Sequence, residues 1–490
     1  MKLNLKLIIF TFGERLILDS IEEICIKVAE EITPSKEEKE KIEYLTKEVI
    51  SKLFIEVSKE NINAEIRVDG SIAKDTWLKG EADIDIFIRL PPVSTPKLHL
   101  IECLNIAKKA FKEYKIIERY AEHPYLEIWI KETRVNIVPC FKVERGKWLS
   151  ATDRTPFHTD FMKEKLNDTL KREVRILKKF MKGTGLYGAE IKIGGFSGFL
   201  CEILILYYGS FKNVLEAASN WKKKQVIDVA GWFLGKEDEV YDLFDENLIV
   251  IDPVDKSRNV AASVFENKLW EFVSASRMFL KKPSLKFFYP PIQEVLSEKE
   301  VSEKLSKNNL DLLFLIFSGI NVVVDVLWGQ LYKTENALRN FLKANDFKVF
   351  RSASWSDEKE LNVILFELER KNIYSPKKHM GPPVEKRKES EDFLVKHLYA
   401  EDTITGPWIE GERWFVEKKR KWSDAEELLK FYLSNNGGRN IGVASKIAEA
   451  LEKNGFQVLS WINVQTLYKN RKDFAQFISK FINGRPIWLE

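Results

Sequence analysis

The stretch Val68–Leu90 limits most strongly what this chain can fold into. It opens with Gly70-Ser71 and ends in Asp83-Ile84-Asp85, followed by Ile86, Phe87 and Ile88. The apolar, β-branched run predicts a strand. Side chains two apart in a strand share a face, roughly 6–7 Å from each other. Asp83 and Asp85 therefore project together, while Ile84 and Ile86 turn the other way into a core. Two adjacent carboxylates repel, and a hard divalent cation such as Mg2+ relieves the repulsion. The Gly-Ser turn offers backbone N–H groups and a hydroxyl to a phosphate. An Asp-x-Asp triplet alone also occurs in ordinary surface strands. A phosphate turn beside a carboxylate pair, however, points to metal-assisted nucleotidyl transfer.

Around this stretch lie 490 residues, enough for about three domains. A net charge of only +4, from 78 basic and 74 acidic residues, means that any nucleic-acid surface must come from local segregation of charge. Cys25, Cys103, Cys140 and Cys201 are far apart and form no Cys-x-x-Cys pair, which argues against a zinc site or a disulfide framework and for a reducing compartment. No apolar run reaches the length of a membrane span, and Leu3–Leu18 has no small-residue cleavage site. A cytoplasmic location is the expectation. Plentiful Lys, Glu and Ile lean towards a thermophile.

Along the chain, Ser35 and Glu38 read as a capping box opening a helix with Ile42, Leu45, Val49 and Leu53 on one face. Ala64–Val68 reads as a strand, Leu100–Tyr114 as a helix, and Tyr125–Lys131 with Arg134–Phe141 as a hairpin. This predicts a small mixed sheet with helices on one face. From Asp153 the pattern turns helical: Leu166–Met181 is amphipathic, Phe199–Phe211 is almost wholly apolar, and Ile249–Val260 reads as a polar loop running into a helix. Beyond Pro283 a β-α-β-β-α-β order appears, with strands at Asp311–Phe317, Lys348–Ala353 and Leu361–Leu368, a second helix at Glu389–Leu398 and a closing strand or hairpin at Trp408–Lys418. Ser423 and Glu426 read as a second capping box, and Asn435–Glu490 as helical.

With these motifs in place, the chain resembles the archaeal, class I CCA-adding enzymes, tRNA nucleotidyltransferases that restore the 3′-terminal CCA. The resemblance runs from about Ser35 to the C-terminus. It rests on Gly70-Ser71, Thr76-Trp77, Asp83-Ile84-Asp85, Ala121–Tyr125, Val138–Cys140, Asp153–His158, Tyr187–Glu190, Gly195–Glu202, Asp252–Asp255 with Arg258-Asn259, and Met380–Pro383. It implies an α+β multidomain chain: an extension with the start of the first helix (1–33), a polymerase-β-like nucleotidyltransferase head (34–148), a helical central nucleotide-binding domain (149–282), an RNA-recognition-like, ferredoxin-like body (283–434) and a helical tail (435–490). It further implies Mg2+, CTP, ATP and the acceptor arm of tRNA as partners, with no membrane; a homodimer is left open.

Carried over residue by residue, Asp83 and Asp85 match the metal-binding carboxylates, and Gly70 and Ser71 the turn holding the triphosphate. Lys74 stands where an arginine is common. Thr155 and His158 match the segment facing the nucleotide, Lys178 and Tyr187 the contacts to phosphates and sugar, and Arg258 the reader of the base edge. Asn136 stands where the resemblance implies a third carboxylate, and Arg134 where it usually implies Glu. Asn offers a carbonyl oxygen to a metal but no charge and no base. Glu127 and Glu81 are the nearest substitutes by sequence. An alternative reading is therefore a catalytically impaired tRNA-binding homologue; a third is a poly(A)-type enzyme. The basic runs Lys377–His379, Lys386–Lys388 and Lys418–Lys421 are the expected RNA surface.

Overall fold

The computed structural model describes residues 20–60, 62–92, 96–120 and 124–489. Leu3–Leu18 and the first three residues of the Ala121–Tyr125 motif lie outside the described residues. The chain divides into two compact units. One runs to Ile292 and takes in the last residues from Pro486; the other is Gln293–Arg485.

The first unit begins with α1 (Ile21–Ile32) and α2 (Lys36–Lys59). Ser20 and Glu23 form a reciprocal capping box on α1. On α2 only half of the expected box is made: Ser35 accepts from Glu38 N at 3.1 Å. The Glu38 carboxylate instead accepts from Gly80 N at 2.7 Å, tying the helix to a later loop. Next come β1 (Glu65–Asp69), a single helical turn α3 (Gly70–Lys74), β2 (Asp83–Leu90), α4 (Pro96–Ala110), β3 (Ile116–Tyr120), β4 (Pro124–Ile130) and β5 (Thr133–Phe141). They form one mixed sheet in the order β1-β2-β5-β4-β3, with β2 and β5 parallel. Ile84, Ile86 and Ile88 are fully buried against α2 and α4, so the expected sheet with helices on one face is what forms. The strand β3 had no clear signal in the sequence.

The helical part follows with α5 (Thr155–Lys165), α6 (Asp168–Gly183), α7 (Gly198–Tyr208) and α8 (Phe211–Ala218). A small sheet comes next, of β6 (Gln225–Ile227), β7 (Leu248–Asp252) and β8 (Asp255–Asn259), with α9 (Glu237–Leu243) between its first two strands and α10 (Glu266–Lys281) after it. The expected loop at Ile249–Val260 is therefore a hairpin: Leu248–Asp252 is buried throughout, which only paired backbone tolerates. Phe180 lies at the centre of the helical core, its ring 5.4–5.9 Å from those of Phe211, Phe279, Phe287 and Phe288. The α1 residues Ile24, Val28 and Ile32 belong to the same core, so this helix is a component of the helical domain and not an appendage.

The second unit opens with α11 (Glu298–Asn308), β9 (Asp311–Ser318), α12 (Val324–Ala344), β10 (Val349–Ser356) and β11 (Leu361–Leu368). An excursion follows: β12 (Pro376–Pro383), α13 (Arg387–His397), β13 (Thr403–Glu410) and β14 (Arg413–Lys419). The chain ends with α14 (Ala425–Ser434), α15 (Ser445–Asn454), β15 (Phe456–Ser460), α16 (Trp461–Asn470) and α17 (Lys472–Asn483). The four-stranded sheet runs β10-β11-β9-β15, which is ferredoxin-like. Its closing strand, however, is Phe456–Ser460 and not Trp408–Lys418. The latter belongs to a separate three-stranded sheet, β12-β14-β13. The reason lies in β9: Leu312, Leu313, Phe314 and Leu315 are all essentially buried, on both faces, and such a strand requires a neighbour on each edge and a layer on each side. Leu331, Leu428 and Ile447 cover one face, and Trp461, Phe474 and Ile478 the other. The terminal segment is thus helical around one strand, and it packs with the body in one unit. The second expected capping box is replaced by Asp424, which accepts from the N–H groups of Glu426 and Glu427.

Replacing Phe180 by Ala should lower stability by about 3–5 kcal/mol, measured as a shift of the denaturant midpoint; a change below about 1 kcal/mol would place the centre of this core elsewhere.

Candidate active site

The parallel register of β2 and β5 sets Asp83 beside Arg134 and Asp85 beside Asn136. On β4, Glu127 pairs with Asn136. One face of the sheet thus presents Asp85, Asn136 and Glu127 in a row. Asn136 Nδ2 donates to Asp85 Oδ1 at 2.9 Å. Arg134 donates to both oxygens of Asp83, through Nε at 2.9 Å and through Nη2. Glu127 is buried and already accepts from Arg119 Nε and Trp129 Nε1, each at 3.1 Å, so it does not stand in for the missing carboxylate. Glu81 pairs with Lys182 outside the row. Burial first, and then the Asp83 charge, push the Asp85 carboxyl up to about 6, against the Asn136 hydrogen bond.

Gly70 begins α3 with φ +71°, and a Cβ there would lie 2.1 Å from Asp85 Oδ2. The absent side chain is what lets the turn reach the carboxylate. Ser71 follows in the same turn, its carbonyl accepting from Thr76 N. Among the described residues no group of three or more His, Cys, Asp or Glu gathers into a metal cluster. Two carboxylates with one free edge towards a phosphate turn nevertheless fit one divalent ion, because Mg2+ is commonly held by one or two carboxylates plus substrate phosphates. Asn136 can add its carbonyl oxygen if its amide turns over.

Beneath the turn lies a charge cluster that the sequence reading did not assemble. Glu202 on α7 is 1% exposed. Its Oε2 accepts from Lys74 Nζ at 2.5 Å, and its Oε1 from Thr76 Oγ1 at 2.6 Å and Lys178 Nζ at 3.2 Å. Lys178 also donates to Thr76 O and Oγ1, both at 3.1 Å. Both lysines are buried. Burial lowers the Lys178 pKa, against the pull of the Glu202 charge, and Lys178 has no donor left for a direct phosphate contact in this arrangement. Burial works against the Glu202 carboxylate, yet Lys74 and Lys178 hold it down at about 2. Tyr187 borders the cluster: a Cβ on Gly198 would lie 2.9 Å from its hydroxyl and 3.5 Å from Lys178 Nζ. The available signal for Glu202 was a lone carboxylate in an apolar helix, which requires a partner.

A second cluster gathers on Asp252, at the end of β7. His158 Nε2 lies 2.8 Å from Oδ2, and Arg258 Nη1 donates to the same oxygen at 2.9 Å. Asp252 thereby selects the Nε2–H tautomer of a neutral imidazole, which burial keeps below its ordinary pKa. The imidazole rests on Phe199, ring centroids 4.1 Å apart. Its Nε2 is therefore engaged by Asp252. Arg258 is 42% exposed and retains the other arm of its fork. Arg145 donates to the carbonyls of Pro253 and Val254, and Arg154 to Asp255, pinning the hairpin tip. Thr155 begins α5, one turn before His158. Asp153 holds that entry by accepting from Phe141 N at 2.7 Å and Ser150 N at 2.7 Å.

A mixed sheet with a glycine turn aimed at a carboxylate pair is the geometry of a nucleotidyltransferase. Residues 50–169 match the nucleotidyltransferase domain, residues 172–289 the second domain of tRNA nucleotidyltransferase, and residues 311–461 the C-terminal domain of the CCA-adding enzyme. The CCA-adding enzyme of Methanosarcina barkeri is 36% identical over 94% of this chain and 98% of its own length. That of Pyrobaculum islandicum is 36% identical over 85% and 94%, and that of Methanothermobacter thermautotrophicus 35% over 92% and 96%. The chain belongs to the CCA-adding enzyme family. Among solved structures, a cytoplasmic RNA terminal U-transferase aligns over 54% of the chain at 16% identity with a TM-score of 0.41, too distant a likeness for inference. Nucleotidyltransferases of this fold generally use divalent metal ions.

Replacing Glu202 by Gln leaves two buried ammonium groups on a neutral amide and should cost about 3–5 kcal/mol of stability at pH 7. Because the folded pKa lies below the ordinary 4.5, the stabilisation is present above pH 4.5 and is lost as pH falls towards 2. Urea unfolding across that range should therefore show a shallower acid fall in the variant than in the parent. Equal slopes would remove Glu202 as the source.

Proposed function

We propose that this chain adds or repairs the 3′-terminal CCA of tRNA from CTP and ATP, without a nucleic-acid template and with Mg2+. The observation that carries the reading is the Gly70 turn set against Asp83 and Asp85 in a chain related over almost its whole length to CCA-adding enzymes. The 3′ hydroxyl oxygen of the tRNA attacks the α-phosphorus and loses its proton to water, a new P–O bond forms, and the bond to the β-phosphate breaks as pyrophosphate leaves. Asp83 and Asp85 would hold the divalent ion, which would supply positive charge to the reacting phosphate. Gly70 and Ser71 bring backbone N–H groups to the phosphates. The Lys74, Lys178 and Glu202 cluster anchors the turn below them. Asp252 aims Arg258, whose open donors suit a base edge, and holds His158 as a neutral wall beside Thr155. Tyr187 closes the sugar side.

Asn136 in this scheme orients Asp85 and takes no proton. The relatives lend no support to the alternative of a binding-only homologue. For the RNA, the second unit offers Lys377, Lys378, Lys418 and Arg420, each already in an ion pair with Asp346, Glu410 or Asp402. Phosphates would compete for these cations. tRNA affinity should consequently fall by roughly 10²-fold between 50 and 200 mM salt, as read by filter binding; a flat response would remove these runs from the interface.

The defining experiment is incorporation of labelled CTP and ATP into tRNA lacking CCA. The parent should add C, C and A. Asp85→Asn should lower the rate by on the order of 10²-fold or more, about 2.7 kcal/mol, and Asn136→Asp should raise it. No incorporation by the parent would overturn the proposal. Long A tails without C would indicate the poly(A)-type reading instead.

A further inference from the structure

The β2 carboxylates are already neutralised from within the chain. We infer that Arg134 is a displaceable, tethered counter-cation that occupies the divalent-ion position at Asp83 and leaves it only when an ion binds. The inference rests on the nucleotidyltransfer reading of this site.

Three of the four oxygens on Asp83 and Asp85 accept from β5. Both oxygens of Asp83 face the Arg134 fork, and Asp85 Oδ1 faces Asn136. The fourth, Asp85 Oδ2, faces Gly70. A guanidinium paired side-on with a carboxylate covers the same lone pairs that an ion at about 2.0–2.1 Å would use. The two cannot share that edge, so the ion and Arg134 compete. Which of them yields is decided by burial. Arg134 and Asp83 are each 40% exposed, and a pair so open to water costs little to separate. Lys74 and Glu202, 7% and 1% exposed, stay together. Asn136 yields by turning its amide, because its carbonyl oxygen serves an ion where its NH2 serves a bare carboxylate.

Glu127 contributes to the field that stabilises the Arg134 charge, but its oxygens already accept from Arg119 and Trp129, so the displaced arm turns to solvent. In the free protein the guanidinium sits on Asp83. The strand that lacks a third carboxylate thus supplies a cation that suppresses the metal site until a divalent ion arrives with the triphosphate.

The test uses Mn2+ as the paramagnetic probe, titrated into the full chain without nucleotide or tRNA and followed by loss of the free-ion signal. Arg134→Gln should bind Mn2+ at least about ten-fold more tightly than the parent. Arg134→Lys, which keeps the charge, should stay near the parent. Adding Asp83→Asn to Arg134→Gln should abolish the gain. Unchanged or weaker binding in a folded Arg134→Gln protein would overturn the inference. So would failure of Arg134→Gln to fold, since an arm that leaves its seat in function cannot be a structural strut. A Mn2+ gain without nucleotide incorporation by the parent would overturn the proposed function alone; incorporation without a Mn2+ gain would overturn the arm alone.

Discussion

Glu202 holds the site together. Its one carboxylate, buried on α7, accepts from Lys74 and Thr76 of the turn region and from Lys178 of α6. A carboxylate cannot remain charged in such surroundings without partners, and an ammonium cannot either. The requirement acts in both directions, so the turn of the sheet domain and two helices of the helical domain are fixed to one point. The helical residues are thereby placed at a set distance from the Gly70 turn. Asp252 does the same elsewhere in the site, joining α5, β7 and β8 through His158 and Arg258.

The parallel pairing of β2 and β5 is the second constraint. Parallel strands bring residues level without a turn between them, so what stands on β5 decides what Asp83 and Asp85 meet. Here it places a guanidinium and an amide donor against the two carboxylates. The cations around Glu202 are buried, whereas the one at Asp83 is half-exposed. That difference in burial separates framework from moving part, although both are arginine or lysine on a carboxylate.

The head was largely legible in sequence because its signals are local. Strand alternation showed Asp83 and Asp85 on one face, and the hairpin at residues 124–141 was bounded by its own turn. The errors arose where the deciding contact is distant. Ser35 and Glu38 have capping-box spacing, but Gly80 outbids Ser35 for the Glu38 carboxylate. Trp408–Lys418 spans the turn of the β13–β14 hairpin, yet only the two buried edges of β9 reveal that Phe456–Ser460 closes the sheet. His158 and Lys178 are expected at the nucleotide, and nothing in their neighbours along the chain announces the bonds they make to Asp252 and Glu202.

By itself the sequence determined the chemistry available: a glycine turn before a carboxylate pair, an asparagine and an arginine in the strand that follows, and motifs enough to specify the family. These are properties of residue type and short spacing, set before the chain folds. Only the tertiary structure decided which charges are spent and which are free. Charge compensation is a matter of distance and burial, and apart from Arg258 and Asp252 the partners concerned are separated by tens of residues or more. The β2–β5 pairing, reached through two intervening strands, is what turned Arg134 from a neighbour in sequence of Asn136 into the counter-ion of Asp83.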